Sequence, residues 1–331
     1  MHIPDAVLDP KVAATAGGLA VAGMLIGLRK LEQQLGERTT VLMGTMSAFV
    51  FAAQMVNFPV GPLPISGHLL GGVLSAVMLG PWAGAVVIGA VLIVQCLLFG
   101  DGGLTALGAN FLNMGLIGAV GGYAIYAPIR RAIGGRAGVL MGGMIAAWFS
   151  VLLASGAFAV ELAASGRWAD FFQVLSWMAL VHAGIGFGEA LITGLVLRFV
   201  LLTRPDLVYL PELVEAEGVP AVDRPRQWGQ MTLAGLAIAM AVGVFLAPFA
   251  SEHPDGLEFV GAKLGFLKDA TPTLVPAPIP DYQLAVLGGD RVKIATALAG
   301  LVGTLVVFGV GLGLARIFAR RGPEGVPPDA T

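Results

Sequence analysis

Residues 82–99 read WAGAVVIGAVLIVQCLLF, an apolar run without a single charged side chain. A helix crosses the hydrocarbon layer with about 20 such residues, because each adds about 1.5 Å. Further apolar blocks occur along the chain, which is 56% hydrophobic and 12% charged with a mean hydropathy of +0.84. About a quarter of the residues of a soluble domain are charged. The sequence therefore predicts an all-α integral membrane protein.

The apolar blocks predict nine membrane crossings. They are expected at 12–28, 40–57, 67–80, 82–99, 104–127, 138–161, 172–201, 229–248 and 292–314. The third block is short, and Gly80-Pro81 separates it from the fourth. Because proline suits the first position of a helix, a tight hairpin is predicted there rather than one kinked helix.

The basic residues predict the orientation, since cytoplasmic loops are enriched in Lys and Arg. With the N-terminus outside, thirteen of the 19 basic residues fall on the inner side and six on the outer side. The pairs Arg29-Lys30, Arg130-Arg131 and Arg320-Arg321 all lie inside. We expect a multi-pass protein of a prokaryotic plasma (inner) membrane, with its N-terminus outside and its C-terminus cytoplasmic.

Polar segments divide the chain into three parts. Residues 1–201 form a predicted seven-helix substrate-binding bundle, and residues 202–228 a Pro-punctuated cytoplasmic linker. Residues 229–331 form a two-helix appendage, with an extracytoplasmic loop at 249–291. The first ten residues lack the basic and apolar regions of a signal peptide, so we expect Met1 to be retained with a free amine outside.

His2 and His68, two of the four histidines, both fall on the outer side and together predict a metal site. The Met1 amine, the His2 amide nitrogen and the His2 imidazole can chelate a metal through a five-membered and a six-membered ring. His68 would complete a planar set of four nitrogens, which suits Ni(II) and Cu(II) and, with different coordination, Co(II). Asp5 is a candidate to orient an imidazole as an outer-shell acceptor.

Further polar residues are candidates for supporting roles. Asn57, at the outer end of the second crossing, is predicted to support the site from the outer shell, as is Ser66, which precedes His68. His253 is a candidate for transient metal capture. Gln54 shares a helix face with Asn57. Other polar residues in or beside the apolar runs are read as bonds between helices: Gln95, Asp101, Asn110, Asn113, His182 and Glu189.

Several stretches resemble the nickel/cobalt substrate-binding membrane components of energy-coupling-factor (ECF) transporters, the NikM/CbiM type. They are MHIPDA, FVFAAQMVNFPV, SGHLLGG, GPWAG, LLFGDGGLTALGANFLNMG and GEALITG, spread over about residues 1–200. The resemblance implies that Met1, His2 and His68 form the metal site. It also implies two ATPase subunits and a transmembrane coupling protein as partners.

The second part of the chain adds to this resemblance. SEHPDGLE at 251–258 is similar to the PDGLE motif of the accessory component of these transporters, and this fused arrangement favours nickel over cobalt as the transported ion. The sequence departs from the family pattern at Ala6, where the family usually has glycine, and at Pro64-Ile65, where it usually has Gly-Thr.

Three classes of function remain in competition. The chain has no G-x-x-x-x-G-K-[ST] phosphate loop, so ATP hydrolysis for an ECF-type importer is expected on separate subunits. An ion-driven secondary transporter is the alternative, with His182 and Glu189 as its candidate ionisable residues. An enzyme is disfavoured because four nitrogen donors leave no position for a reactive water. No catalytic cofactor is expected, and the net charge of −2 gives no support for nucleic acid as a partner.

Overall fold

The computed structural model describes residues 2–32, 37–209, 225–271, 274–284 and 291–319. Most of these residues are helical. The core lies between the packed helices, and it contains Phe51, Leu74, Ile88 and Phe158. Large apolar side chains such as Phe187 and Leu195 point outward, as expected where the surrounding solvent is lipid.

The described residues contain eleven α-helices, of which the long ones lie near the predicted crossings. The eleven are α1 (Pro10–Glu32), α2 (Glu37–Gln54), α3 (Gly72–Leu79), α4 (Pro81–Val94), α5 (Leu107–Asn110), α6 (Gly122–Ile133), α7 (Gly135–Leu162), α8 (Phe171–Thr203), α9 (Pro225–Ala241), α10 (Gly256–Leu264) and α11 (Val292–Ala319). A π-helical segment, Phe111–Gly121, joins α5 to α6, and another, Gln95–Phe99, follows α4.

Within the described ranges, six helical stretches are long and apolar enough to cross a membrane. One of them, Gly135–Thr203, contains both α7 and α8, which are separated only by a bend at Ser165 and Gly166, where the backbone angles are not helical. The chain is thus a helical, multi-pass membrane protein. The predicted count of seven helices plus two stays a prediction.

The third predicted crossing, 67–80, is wrong as a spanning helix. Only Gly72–Leu79 is helical, which gives α3 a length of about 12 Å against a hydrocarbon thickness of about 30 Å. Ser66 and Gly67 instead form a short antiparallel ladder with Phe58 and Pro59. The turn expected before the fourth crossing is present, since Gly80 has φ 91° and Pro81 is the first residue of α4.

The appendage packs on the first part of the chain. Helices α9 and α11 both lie along α2. Gly44 of α2 meets Leu312 closely enough that an added Cβ would lie 3.1 Å from the Leu312 Cβ, and such small residues let helices approach. The predicted outer loop 249–291 also contains a helix, α10, which packs against α8. The predicted linker 202–228 is shorter at its end, because α9 begins at Pro225.

The departure at Ala6 has a structural correlate, because this exposed residue has φ 63°. A left-handed conformation costs a residue with a Cβ roughly 1–2 kcal/mol. Glycine would remove that strain. It would also raise the conformational entropy of the unfolded chain, which lowers the stability by about 0.4–1 kcal/mol. We therefore expect Ala6→Gly to stabilise the protein by a few tenths to about 1 kcal/mol.

Chemical denaturation in detergent measures this effect. The matched control is Ala22→Gly on the exposed face of α1, which should destabilise by about 0.5–1 kcal/mol because its backbone is helical. A loss of stability in Ala6→Gly equal to that of the control would contradict the strain assigned to Ala6.

Candidate metal site

His2 and His68 come together inside the protein. Their ring centroids lie 5.2 Å apart with an angle of 22° between the ring planes. Each residue is 9% exposed. Two imidazoles from distant parts of the chain thus share one buried pocket, and their role as metal ligands stays a prediction.

The N-terminal arm, residues 2–9, reaches this pocket as extended chain and turns rather than helix. The Ile3 N–H donates to Asn110 Oδ1 at 2.8 Å, and Asn110 Nδ2 donates back to the Ile3 carbonyl at 3.2 Å. That carbonyl also accepts from the Gly103 N–H at 2.8 Å. Asn110, read from the sequence as glue between helices, therefore holds the arm that carries His2.

Asp5 fixes the base of the arm. Its Oδ1 accepts from the Thr105 N–H at 2.8 Å and from the Thr105 hydroxyl at 2.6 Å, and its Oδ2 accepts from the Leu274 N–H at 3.3 Å. Burial alone would raise the pKa of this carboxyl, but these donors lower it below its ordinary value. The structure thus gives the Asp5 carboxylate partners other than an imidazole.

The carboxylate beside His2 is that of Asp101. Its Oδ1 lies 3.2 Å from His2 Nδ1, and its Oδ2 accepts from the Tyr282 hydroxyl at 2.6 Å. The other nitrogen of His2, Nε2, lies 3.1 Å from Gln95 Oε1. Burial lowers the pKa of His2 below its ordinary value despite the attraction of Asp101. A neutral imidazole is the form that binds metals.

His68 sits where the chain passes from the short ladder into α3. Its Nδ1 donates to the Leu69 carbonyl at 2.9 Å, which leaves Nε2 as the nitrogen with a lone pair. Glu189 of α8 accepts from the Leu70 and Gly71 N–H groups and so fixes the start of α3. The Glu189 carboxylate therefore has a structural role at this position.

The PDGLE segment, residues 251–258, covers the His68 side of the pocket. Asp255 Oδ2 lies 4.0 Å from His68 Nε2. Asp255 is also the N-cap of α10, in a capping box with Glu258. Ser66 anchors the segment through two hydrogen bonds. The Ser66 N–H donates to the Pro254 carbonyl at 2.9 Å, and the Ser66 hydroxyl donates to the His253 carbonyl at 2.7 Å.

The remaining candidates have varied positions. The hydroxyl of Ser66 serves the PDGLE segment rather than an imidazole. Asn57 contacts the appendage through its carbonyl, which accepts from the Ser251 N–H at 2.8 Å. The His253 side chain is exposed.

In α8, His182 donates from Nδ1 to the Met178 carbonyl. Met1 lies outside the described residues.

The sequence analysis read Asp101 as a bond between helices and so missed the place of the loop Gly100–Gly103 beside His2. Asp101 belongs to the pocket, and the next two glycines let the arm lie directly on the loop, since a Cβ on Gly103 would sit 2.6 Å from the Pro4 carbonyl carbon. The repeated glycine in LLFGDGG was the available signal.

Among the described residues, no group of three His, Cys, Asp or Glu side chains is arranged to hold a metal. A metal at this pocket would therefore need donors besides these side chains.

The fold and the pocket define a multi-pass membrane protein with two buried imidazoles in one pocket. Residues 2–207 match the family described as the cobalt uptake substrate-specific transmembrane region, CbiM, and residues 229–320 match the PDGLE domain. The chain belongs to the CbiM family and carries a fused PDGLE domain. It is a nickel/cobalt transport component of the CbiM type.

Individual relatives have the same fused organisation. The chain is 34% identical over 324 residues to a putative fused nickel transport protein NikMN of Archaeoglobus fulgidus, with 97% of this chain and 99% of the relative covered. It is 30% identical over 355 residues to the fused nickel transport protein NikMN of Rhodobacter capsulatus, covering 97% and 100%. A truncated transition metal transporter of known crystal structure is 30% identical, with a TM-score of 0.55 over 61% of this chain and 99% of the other.

The contact at Gly103 generates a prediction about the pocket. We expect Gly103→Ala to push the N-terminal arm away and to weaken Ni(II) binding by about 10–100-fold, the range seen when outer-shell support of a metal site is lost. Equilibrium dialysis of the purified chain against Ni(II) measures this.

The matched control is Gly18→Ala in α1, where an added Cβ meets nothing within 4 Å. This variant should bind as the unaltered chain does. Unchanged affinity in Gly103→Ala would show that the arm can move without loss of the site.

Proposed function

We propose that this protein is the substrate-binding component of an ATP-driven ECF-type importer, and that it captures Ni(II), or Co(II), with Met1, His2 and His68. The observation that carries the proposal is the enclosed pair of imidazoles, one of them on an N-terminal arm held by Asn110 and Gly103. An arm fixed in this way brings the second residue of the chain to the pocket and, with it, backbone nitrogens.

The donor set argues for the metal. The Met1 amine, the His2 amide and His2 Nδ1 span two fused chelate rings, and His68 Nε2 is the fourth nitrogen. Such planar nitrogen sets suit Ni(II), whereas Zn(II) prefers a tetrahedron and Mg(II) prefers oxygen. The near full-length relatives named as fused nickel transport proteins favour nickel over cobalt.

The proposed division of labour follows the sequence. Residues 1–201 bind the metal, 202–228 link the parts in the cytoplasm, and 229–331 form the accessory part, with the N-terminus outside and the C-terminus inside. His253 is exposed next to the segment that covers His68 and so keeps its proposed role in transient capture. Asn57 and Ser66, which bond the same segment, support the pocket by holding its cover.

The terminal amine supplies the decisive test. A flexible Gly-Ser extension before Met1 removes the Met1 amine from the chelate. The extension must be long enough that His2 does not become the third residue of the extended chain. We expect Ni(II) titration in detergent to lose tight binding, together with the absorption band of a square-planar complex. His68→Ala should lose the same band because the fourth nitrogen is missing.

The control is the same extension placed after Thr331, which should leave binding intact. Tight binding that survives the N-terminal extension would rule out the chelate. The comparison of Ni(II) with Co(II) and Cu(II) in the same titration gives the metal preference.

ATP dependence separates the proposal from an ion-driven transporter. We expect no Ni(II) uptake by this chain in a cell that lacks every ECF ATPase, and uptake once the two ATPase subunits and the coupling protein are supplied. The reason is that the chain has no phosphate loop of its own. Uptake in the cell without these subunits, abolished by dissipating the ion gradient, would favour the secondary transporter instead.

A further inference from the structure

Three buried side chains form a continuous line of hydrogen bonds from His2 to the start of α3. His2 Nε2 lies 3.1 Å from Gln95 Oε1, Gln95 Nε2 donates to Gln54 Oε1 at 2.8 Å, and Gln54 Nε2 donates to the Leu70 carbonyl at 2.9 Å. Gln54 is 5% exposed and Gln95 is 1% exposed. Water therefore does not compete with these bonds.

The line has one possible direction. A backbone carbonyl only accepts, so Gln54 must turn its NH₂ group to Leu70 and its oxygen to Gln95. Gln95 must then turn its NH₂ group to Gln54 and its oxygen to His2. Since an amide oxygen only accepts, the hydrogen in the last bond belongs to His2 Nε2. The far end is fixed too, because the Leu70 N–H donates to Glu189.

This direction selects one form of the His2 ring. A neutral imidazole has one N–H, so a hydrogen on Nε2 leaves the lone pair on Nδ1. The chelate proposed above needs that nitrogen, because Nδ1 closes a six-membered ring with the His2 amide whereas Nε2 is too far around the ring. The lone pair on Nδ1 also faces Asp101 Oδ1 at 3.2 Å. Asp101 Oδ1 can only accept as well, so Asp101 and Gln95 compete for the single hydrogen of the neutral ring in the metal-free protein.

We propose that Gln95, itself oriented by Gln54, is a positioning residue that selects the His2 tautomer able to bind the metal. The inference rests on the proposed function for its purpose, but the tautomer is a property of the metal-free protein. His68 has the opposite arrangement, since its Nδ1 donates to Leu69 and its Nε2 keeps the lone pair. The two rings thus receive complementary tautomers from separate partners.

The experiment uses the full chain in detergent micelles without metal, labelled with ¹⁵N at histidine. The chain has only four histidines, and His2→Ala assigns the His2 signals by their loss. At alkaline pH, where imidazoles are neutral, ¹⁵N shifts tell a ring N–H from a ring nitrogen with a lone pair. We expect Nε2–H at His2 in the unaltered protein.

Variants separate positioning from mere folding. Gln95→Leu removes the acceptor and should give a mixture of His2 tautomers and a Ni(II) affinity lower by about 10–100-fold. Gln54→Leu frees the Gln95 amide to rotate and should shift the tautomer in the same direction without touching His2. Gln95→Glu restores a group that accepts from Nε2–H and should recover the tautomer lost in Gln95→Leu.

The matched control is Asn113→Leu, which deletes another buried amide, one that donates to Glu161 and is not part of the line. It should leave the His2 tautomer unchanged. The proposal is overturned if His2 is Nδ1–H in the unaltered protein, or if Gln95→Leu keeps both the tautomer and the affinity. Failure of Ni(II) binding in the unaltered protein with Nε2–H in place would instead count against the proposed function alone.

Discussion

A polar chain end placed among membrane helices must have all of its hydrogen bonds satisfied by the protein, because the hydrocarbon layer offers no water to do so. Within residues 2–9, the buried Ile3 and Asp5 meet this condition through side chains and backbone from other elements. Asn110 bonds both backbone groups of Ile3, and Asp5 accepts from Thr105 and Leu274. The architecture around the pocket follows from this requirement, including the loop Gly100–Gly103, on which the arm can lie only because its glycines lack a Cβ.

The appendage belongs to the pocket as much as to the membrane. Three of its residues contact the pocket. The His253 carbonyl accepts from the Ser66 hydroxyl, Asp255 lies next to His68, and the Tyr282 hydroxyl donates to Asp101. The ring of Tyr282 also stacks on Phe99 with centroids 4.5 Å apart. A pocket with walls from both parts of the chain explains in physical terms why fusion of the two is advantageous: the covering segment is held close to the pocket without having to find it by diffusion.

The accuracy of the sequence-based prediction varied with the range of the interactions involved. Membrane insertion follows from local hydropathy, and the turn at Gly80-Pro81 follows from the backbone preferences of two residues, so both were predictable. The length of α3 was not, because residues 67–71 carry no Asp, Glu, Lys or Arg and continue directly into an apolar block. They leave the helical conformation only because His68, Leu70 and Gly71 bond elsewhere. The helix α10 inside the outer loop was missed although its capping box, Asp255 to Glu258, was legible in the sequence.

The sequence by itself determined that the chain enters the membrane as helices, that it belongs with nickel and cobalt transport components, and that His2 and His68 are the candidate metal ligands. These conclusions need only composition and short motifs. Only the tertiary structure decided which carboxylate stands beside His2, because Asp5 is near His2 in the chain whereas Asp101 approaches it only through the fold. It also decided the line from His2 through Gln95 and Gln54 to Leu70, since a hydrogen-bond direction depends on contacts between residues far apart in the chain.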